Sequence, residues 1–106
     1  MPPFSKGFAT EALLVDHFLR HGPALGITTK EEYLQRADEF CAGIKTNEIA
    51  ECVRPREGDR IGYCSATEEW GVLRVDNVIR TYYRLTDAIS IFGSGYAYFV
   101  AECRKS

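Results

Sequence analysis

His17 and His21 are the only two histidines in this 106-residue chain. They stand four residues apart in Asp16-His17-Phe18-Leu19-Arg20-His21-Gly22. On a helix that spacing stacks the two imidazoles on one face, a turn apart. Far downstream, Ile79-Arg80-Thr81-Tyr82-Tyr83 offers a guanidinium, a hydroxyl and two phenols on what reads as a strand. Imidazoles trade protons near neutral pH, and a guanidinium grips phosphoryl oxygens. The set suits cleavage of a phosphodiester by transesterification without a metal. One histidine takes the 2′-hydroxyl proton, the other protonates the leaving 5′-oxygen, and Arg80 and Thr81 donate to the charged phosphorane. His21, in the last helical turn, is favoured as the imidazolium by the helix dipole, which makes it the acid and His17 the base.

Strand geometry sets a condition on this scheme. Neighbouring residues of a regular strand face opposite ways, so Arg80 goes with Val78 and Tyr82, and Thr81 with Ile79 and Tyr83. Both can serve one site only if a bulge turns one of them. Tyr82, Tyr98 and Arg54 complete the candidate substrate-binding set, with aromatic rings for bases and a cation for phosphate. Each of these residues also has an ordinary use: a helix histidine, a helix-end cap, a cross-strand ion pair, a good β-former or core packing.

The elements that must position these groups are legible from caps and periodicity. A first helix begins near Thr10 and ends at Gly22-Pro23, with Ala12, Leu14, Val15, Phe18 and Leu19 as its apolar arc. The histidines flank that arc, and Asp16 and Arg20 lie opposite. Thr28 with Glu31 and Thr29 with Glu32 form two overlapping capping boxes before a second helix that runs to about Ala42. On it Tyr33, Leu34, Ala37, Phe40 and Cys41 share a face, and Gly43 stops it. From about Ile49 the pattern becomes short strands with turn signals: one ending near Arg54, then Arg60–Cys64, Glu69–Val75 and Val78–Leu85. Asp76-Asn77 is expected as a tight two-residue hairpin, and Tyr96–Ala101 as a last strand. The predicted fold is α+β: two N-terminal helices, spanning 10–43, packed on a four- or five-stranded antiparallel meander over 49–103. Residues 1–9 are expected to be a flexible arm of this single domain.

Size and composition agree with one ordinary domain. The fractions of 45% hydrophobic and 26% charged residues are those of a globular protein with a modest core. No apolar run approaches the roughly 20 residues of a membrane helix, and the first residues lack the apolar core of a signal peptide. A net charge of −2 argues against broad, nonspecific binding of nucleic acid but leaves room for a local basic site. Cys41, Cys52, Cys64 and Cys103 show no CxxC or metal-knuckle spacing and read as mostly reduced, buried small hydrophobes.

The DHFLRHG helix, then Leu25-Gly26-Ile27-Thr28, Glu31-Glu32-Tyr33, Gly58-Asp59, Tyr63, Trp70-Gly71-Val72 and Ile79-Arg80-Thr81-Tyr82-Tyr83 follow one another in an order that resembles a nuclease family. These are the C-terminal toxin domains of bacterial polymorphic and contact-dependent toxins and related phage proteins, within the barnase–EndoU–colicin–RelE superfamily. The resemblance runs from about Leu13 to Tyr83. It implies helices packed on a meander, metal-independent cleavage of RNA (tRNA among the candidates), no cofactor and a cognate immunity protein. It also implies action in the bacterial cytoplasm after delivery as part of a larger secreted toxin. Residue by residue, its helix-histidine motif falls on His17 and His21, and its arginine–threonine strand motif on Arg80 and Thr81.

Two other classes remain open. His17 and His21 have the i, i+4 spacing of zinc ligands, but no glutamate stands between them in an HExxH pattern. A noncatalytic interaction domain, such as an adaptor or an immunity-type protein, would suit the acidic charge.

Overall fold

Thr10 and Thr29 start the two N-terminal helices by the same device. Each is extended, and its hydroxyl accepts the backbone N–H three residues on, from Leu13 and Glu32. The computed structural model describes residues 3–43, 48–55, 57–85 and 95–104. Helix α1 runs Glu11–His21 and α2 Lys30–Ala42, with a short 3-10 turn at Pro23–Leu25 between them. Gly22 and Gly43 end the helices as expected, each donating its N–H back to a helical carbonyl, of Phe18 and Glu39. Gly26 closes the connection at φ +71, a left-handed conformation that favours glycine.

Four strands follow: β1 Ile49–Val53, β2 Arg60–Cys64, β3 Glu69–Leu73 and β4 Ile79–Arg84. They form one antiparallel sheet in the order β1-β2-β3-β4, so the predicted meander and α+β class hold. The β3–β4 connection is longer than the expected two-residue hairpin. Asn77 donates its N–H to the Arg74 carbonyl, and Arg74 donates to Val78, leaving Val75-Asp76-Asn77 as a three-residue loop. Asn77 takes the left-handed position (φ 69) that such a loop requires and that asparagine tolerates.

The run Tyr96–Ala101, expected as a strand, lies in a helix, α3 (Gly95–Cys103). The correction has a packing cause. β2 and β3 are buried on both faces: Cys64 and Leu73 point at α1 and α2, and Ile61, Tyr63, Trp70 and Val72 point the other way. That second face needs its own cover. α3 supplies it with Phe99, Glu102 and Cys103, which share one side at helical spacing, and leaves Tyr96 outside. The molecule therefore has three layers rather than two.

A second correction concerns the cysteines. Cys52 of β1 and Cys103 of α3 form a disulfide, while Cys41 and Cys64 are buried thiols. Spacing in sequence could not show that the ends of β1 and α3 meet. Residues 4–8 are tied to the body of the domain. Phe4 and Ser5 donate N–H bonds to the Asp38 carboxylate (2.8 and 2.7 Å), Lys6 donates to the Asn77 carbonyl (2.8 Å), and Phe8 bridges to Ile79 beside the free edge of β4. No helix among the described residues is long and apolar enough to cross a membrane.

Candidate active site

The seam between α1 and β4 holds the two histidines. Their rings lie 5.8 Å apart, as the four-residue spacing requires. His17 packs on Phe8 (5.1 Å between centroids), and His21 packs on Tyr83 of β4 (5.2 Å). Phe8 in turn stacks on Tyr33 in the helix-side core. An unbroken row of rings thus runs Tyr33–Phe8–His17–His21–Tyr83, from the core to the sheet edge. Both imidazoles are half-buried, as a position on the flank of the apolar arc demands.

Burial sets their charge. Desolvation holds His17 below the usual histidine value, Arg20 pushes the same way, and Asp16 opposes. His17 Nδ1 is buried without a hydrogen-bond partner, so charging this ring would leave a donor unpaired. His21 is lowered by the same burial and by Arg20, further by His17, and again opposed by Asp16. Burial lowers both rings in the same direction and so does not by itself single out either as the acid. The two imidazoles thus share an environment that disfavours the charged form, and a proton on His17 disfavours one on His21.

Arg20 and Asp16 form an exposed ion pair across one helical turn (2.8 Å). Arg20 is the cation whose field reaches both histidines. Sequence reasoning assigned it to the solvent face, although its place within the DHFLRHG motif was the available signal. Tyr83 was likewise in the strand motif but not among the site residues.

β4 carries the bulge that the strand argument required. Val72 pairs with Thr81 and Leu73 with Ile79, so Arg80 is the extra residue. Ile79 and Tyr82 both join the helix-side core, which leaves Arg80 and Thr81 together on the other side of the strand. The backbone at Thr81 thus lies between Ile79, bridged by Phe8, and Tyr83, packed on His21.

Arg80 itself turns away from the histidines toward acid. Its Nη2 donates to Asp59 Oδ1 at 3.2 Å, its Nε lies 2.9 Å from Oδ2, and Glu57 is 3.8 Å away. The Nε approach is an ion pair without a well-aligned N–H, since Oδ2 accepts no hydrogen bond. Asp59 is 1% exposed and also meets Arg54 at 3.7 Å. Arg54 donates to Glu102 of α3 at 2.8 Å. Of the arginines proposed for phosphate, both are therefore held by carboxylates centred on Asp59, a residue that stood in the Gly58-Asp59 step of the resemblance but not among the site residues.

The aromatic candidates divide the same way. Tyr82 is fully buried, accepts the Tyr33 hydroxyl at its carbonyl and donates its own hydroxyl to Glu69; burial, with that bond, drives its phenol well up. It is a core residue here and presents no face to a base. Tyr98 packs on Trp70 (4.9 Å between centroids) and shares a hydrogen bond with the Tyr83 hydroxyl. Among the described residues no three His, Cys, Asp or Glu side chains are grouped so as to hold a metal ion; the histidines supply two donors.

No protein-family model and no curated protein matches this chain. The functional reading therefore rests on the residues and their arrangement.

Proposed function

We propose that the chain is a metal-independent endoribonuclease domain of the bacterial toxin type, with His17 and His21 as its proton-transfer pair. The observation that carries this reading is the pair itself: two imidazoles 5.8 Å apart, half-buried at the α1–β4 seam, with a cation beside them. A charged His17 disfavours a charge on His21, so the rings take up protons in succession and between the two steps the pair holds one proton. That state contains both partners of the reaction. The neutral ring accepts the 2′-hydroxyl proton while the charged ring protonates the departing 5′-oxygen, leaving a 2′,3′-cyclic phosphate.

Arg20 meets the phosphate from α1, and Thr81, on the Tyr83 side of β4 and not on its helix-side face, donates to it round the edge of the strand. Arg80 joins them by exchanging Asp59 for a phosphate oxygen, a swap within reach of a side chain 48% exposed. RNA is the substrate, tRNA the first to try, and an immunity protein from the same source is the expected partner. Action in the bacterial cytoplasm after delivery belongs to the same proposal. Incubation of purified protein with RNA in EDTA tests it: cleavage with cyclic phosphate ends is expected. Abolition by EDTA with rescue by magnesium or manganese overturns it.

One observation favours a second reading, a noncatalytic interaction domain. Arg54 and Arg80 are neutralised within the molecule, and the chain is acidic overall, with a pI near 5.7. Intact RNA after prolonged incubation, together with stable binding to a basic partner protein, would select it.

A further inference from the structure

Tyr83 joins two parts of the molecule. Its ring lies on His21, and its hydroxyl is bonded to that of Tyr98 on α3. α3 is fastened to the sheet by the Cys52–Cys103 disulfide, by the Arg54–Glu102 ion pair, and by Tyr98 and Phe99 against Trp70. We propose that Tyr83 is a positioning residue for His21, and that the Cys52–Cys103 disulfide controls it through Tyr98. In its bearing on cleavage the proposal rests on the ribonuclease reading; in its physical content it does not.

The covalent step is a thiol–disulfide exchange. A dithiol reductant gives two electrons and two protons to the Cys52–Cys103 bond, yielding two cysteine thiols and an oxidised dithiol. The bond closes a loop with a separation of 51 residues, and of the fastenings on α3 it is the covalent one. Without it, α3 keeps only noncovalent fastenings, among them side-chain packing, the Tyr98–Tyr83 hydrogen bond and the Arg54–Glu102 ion pair. Loosening α3 draws the Tyr98 hydroxyl from Tyr83, and Tyr83 is then free to leave the His21 ring.

Among the described residues, the groups that act on His21 come from α1 and β4. α1 contributes Arg20, His17 and Asp16, and β4 contributes Tyr83. The turn Pro23–Leu25 carries no ionisable side chain. α2 turns Arg36 to the Leu25 carbonyl and Glu69, and Tyr33 to the Tyr82 carbonyl. Tyr83 is thus the neighbour of His21 that answers to α3, and its departure uncovers the imidazole to water.

NMR titration of the His21 ring protons, with and without an excess of dithiol, reads this directly. Reduction should raise the His21 midpoint toward the ordinary value of about 6.5, with His17 moving less. Tyr98→Phe keeps the disulfide and deletes the link, so it should shift His21 alike in the oxidised protein, and reduction should then add little. Trp70 fluorescence confirms that each form is folded. An unchanged His21 midpoint in folded Tyr98→Phe overturns the proposal. So does a reduced, folded protein whose His21 titrates as before. Absence of RNA cleavage would overturn the ribonuclease reading and leave this titration result standing.

Discussion

Asp59→Asn tests the ionic hub with almost no change of shape. The carboxylate is 1% exposed and faces two guanidinium groups, Arg80 at 2.9 Å and Arg54 at 3.7 Å. Removing one member of a buried pair costs about 3–5 kcal/mol when the other charge is left uncompensated. Here compensation is partial. Arg54 keeps Glu102 at 2.8 Å, and Arg80 is half-exposed and keeps Glu57 at 3.8 Å, so water screens it. The expected loss is therefore about 2 kcal/mol, nearly all from Arg54, which corresponds to a fall of about 10 °C in thermal midpoint for a domain of this size. Thermal and urea unfolding followed by circular dichroism measure it. Glu57→Gln is the control: it removes an exposed partner and should cost no more than about 1 kcal/mol. If Asp59→Asn proves as mild as Glu57→Gln, the hub is a surface contact and the account of why Arg80 faces away from the histidines is wrong.

Gly71→Ala should destabilise by about 1–3 kcal/mol, because an added methyl would sit 2.6 Å from Cys41 Sγ and 2.8 Å from the Phe40 ring; a neutral effect in urea unfolding would refute that packing. Since burial lowers both histidines relative to the unfolded chain, the unfolded state binds more protons below about pH 6.5. Stability should accordingly be full above that pH and decline as pH falls through it, and His17→Gln with His21→Gln should flatten urea midpoints compared between about pH 7.5 and about pH 5.5. By the same shifts cleavage should peak on the acid side of about pH 6.5, and a maximum above neutrality in an initial-rate profile would contradict the singly protonated pair. Thr81→Val keeps the strand preference and deletes the hydroxyl; it should lower the cleavage rate, and full activity would make Thr81 a framework residue.

The parts of this fold that local chemistry dictates were legible in the sequence. Threonine caps, the terminal glycines and the two apolar helix faces placed α1 and α2 almost to the residue, and short segments with turn signals between them placed four strands. Strand alternation even exposed the conflict between Arg80 and Thr81 that the bulge resolves. What stayed hidden depends on contacts distant in sequence. The aromatic run Tyr96–Ala101 has strong β-propensity, and it is helical because the far face of β2 and β3 must be covered. A clue was present in Ile61-Gly62-Tyr63-Cys64, which does not alternate and so announces burial on both faces. The Cys52–Cys103 bond and the gathering of Arg54, Arg80 and Glu102 around Asp59 join β1, β2, β4 and α3, and no spacing rule reports them. For the candidate site, spacing alone gave the histidine pair and its i, i+4 geometry. Its depression by burial and the engagement of Arg80 required the packed molecule.

The central claim is that His17 and His21 do chemistry on RNA, and one measurement addresses it most directly. The rate of RNA cleavage in EDTA is compared for the parent protein and His17→Ala, with the thermal midpoint of each recorded in the same buffer. The account predicts cleavage by the parent and a loss of about a hundred- to ten-thousand-fold in the variant, with both proteins folded at the assay temperature. A folded His17→Ala that cleaves RNA at the parental rate, or a folded parent that leaves RNA intact, would contradict it.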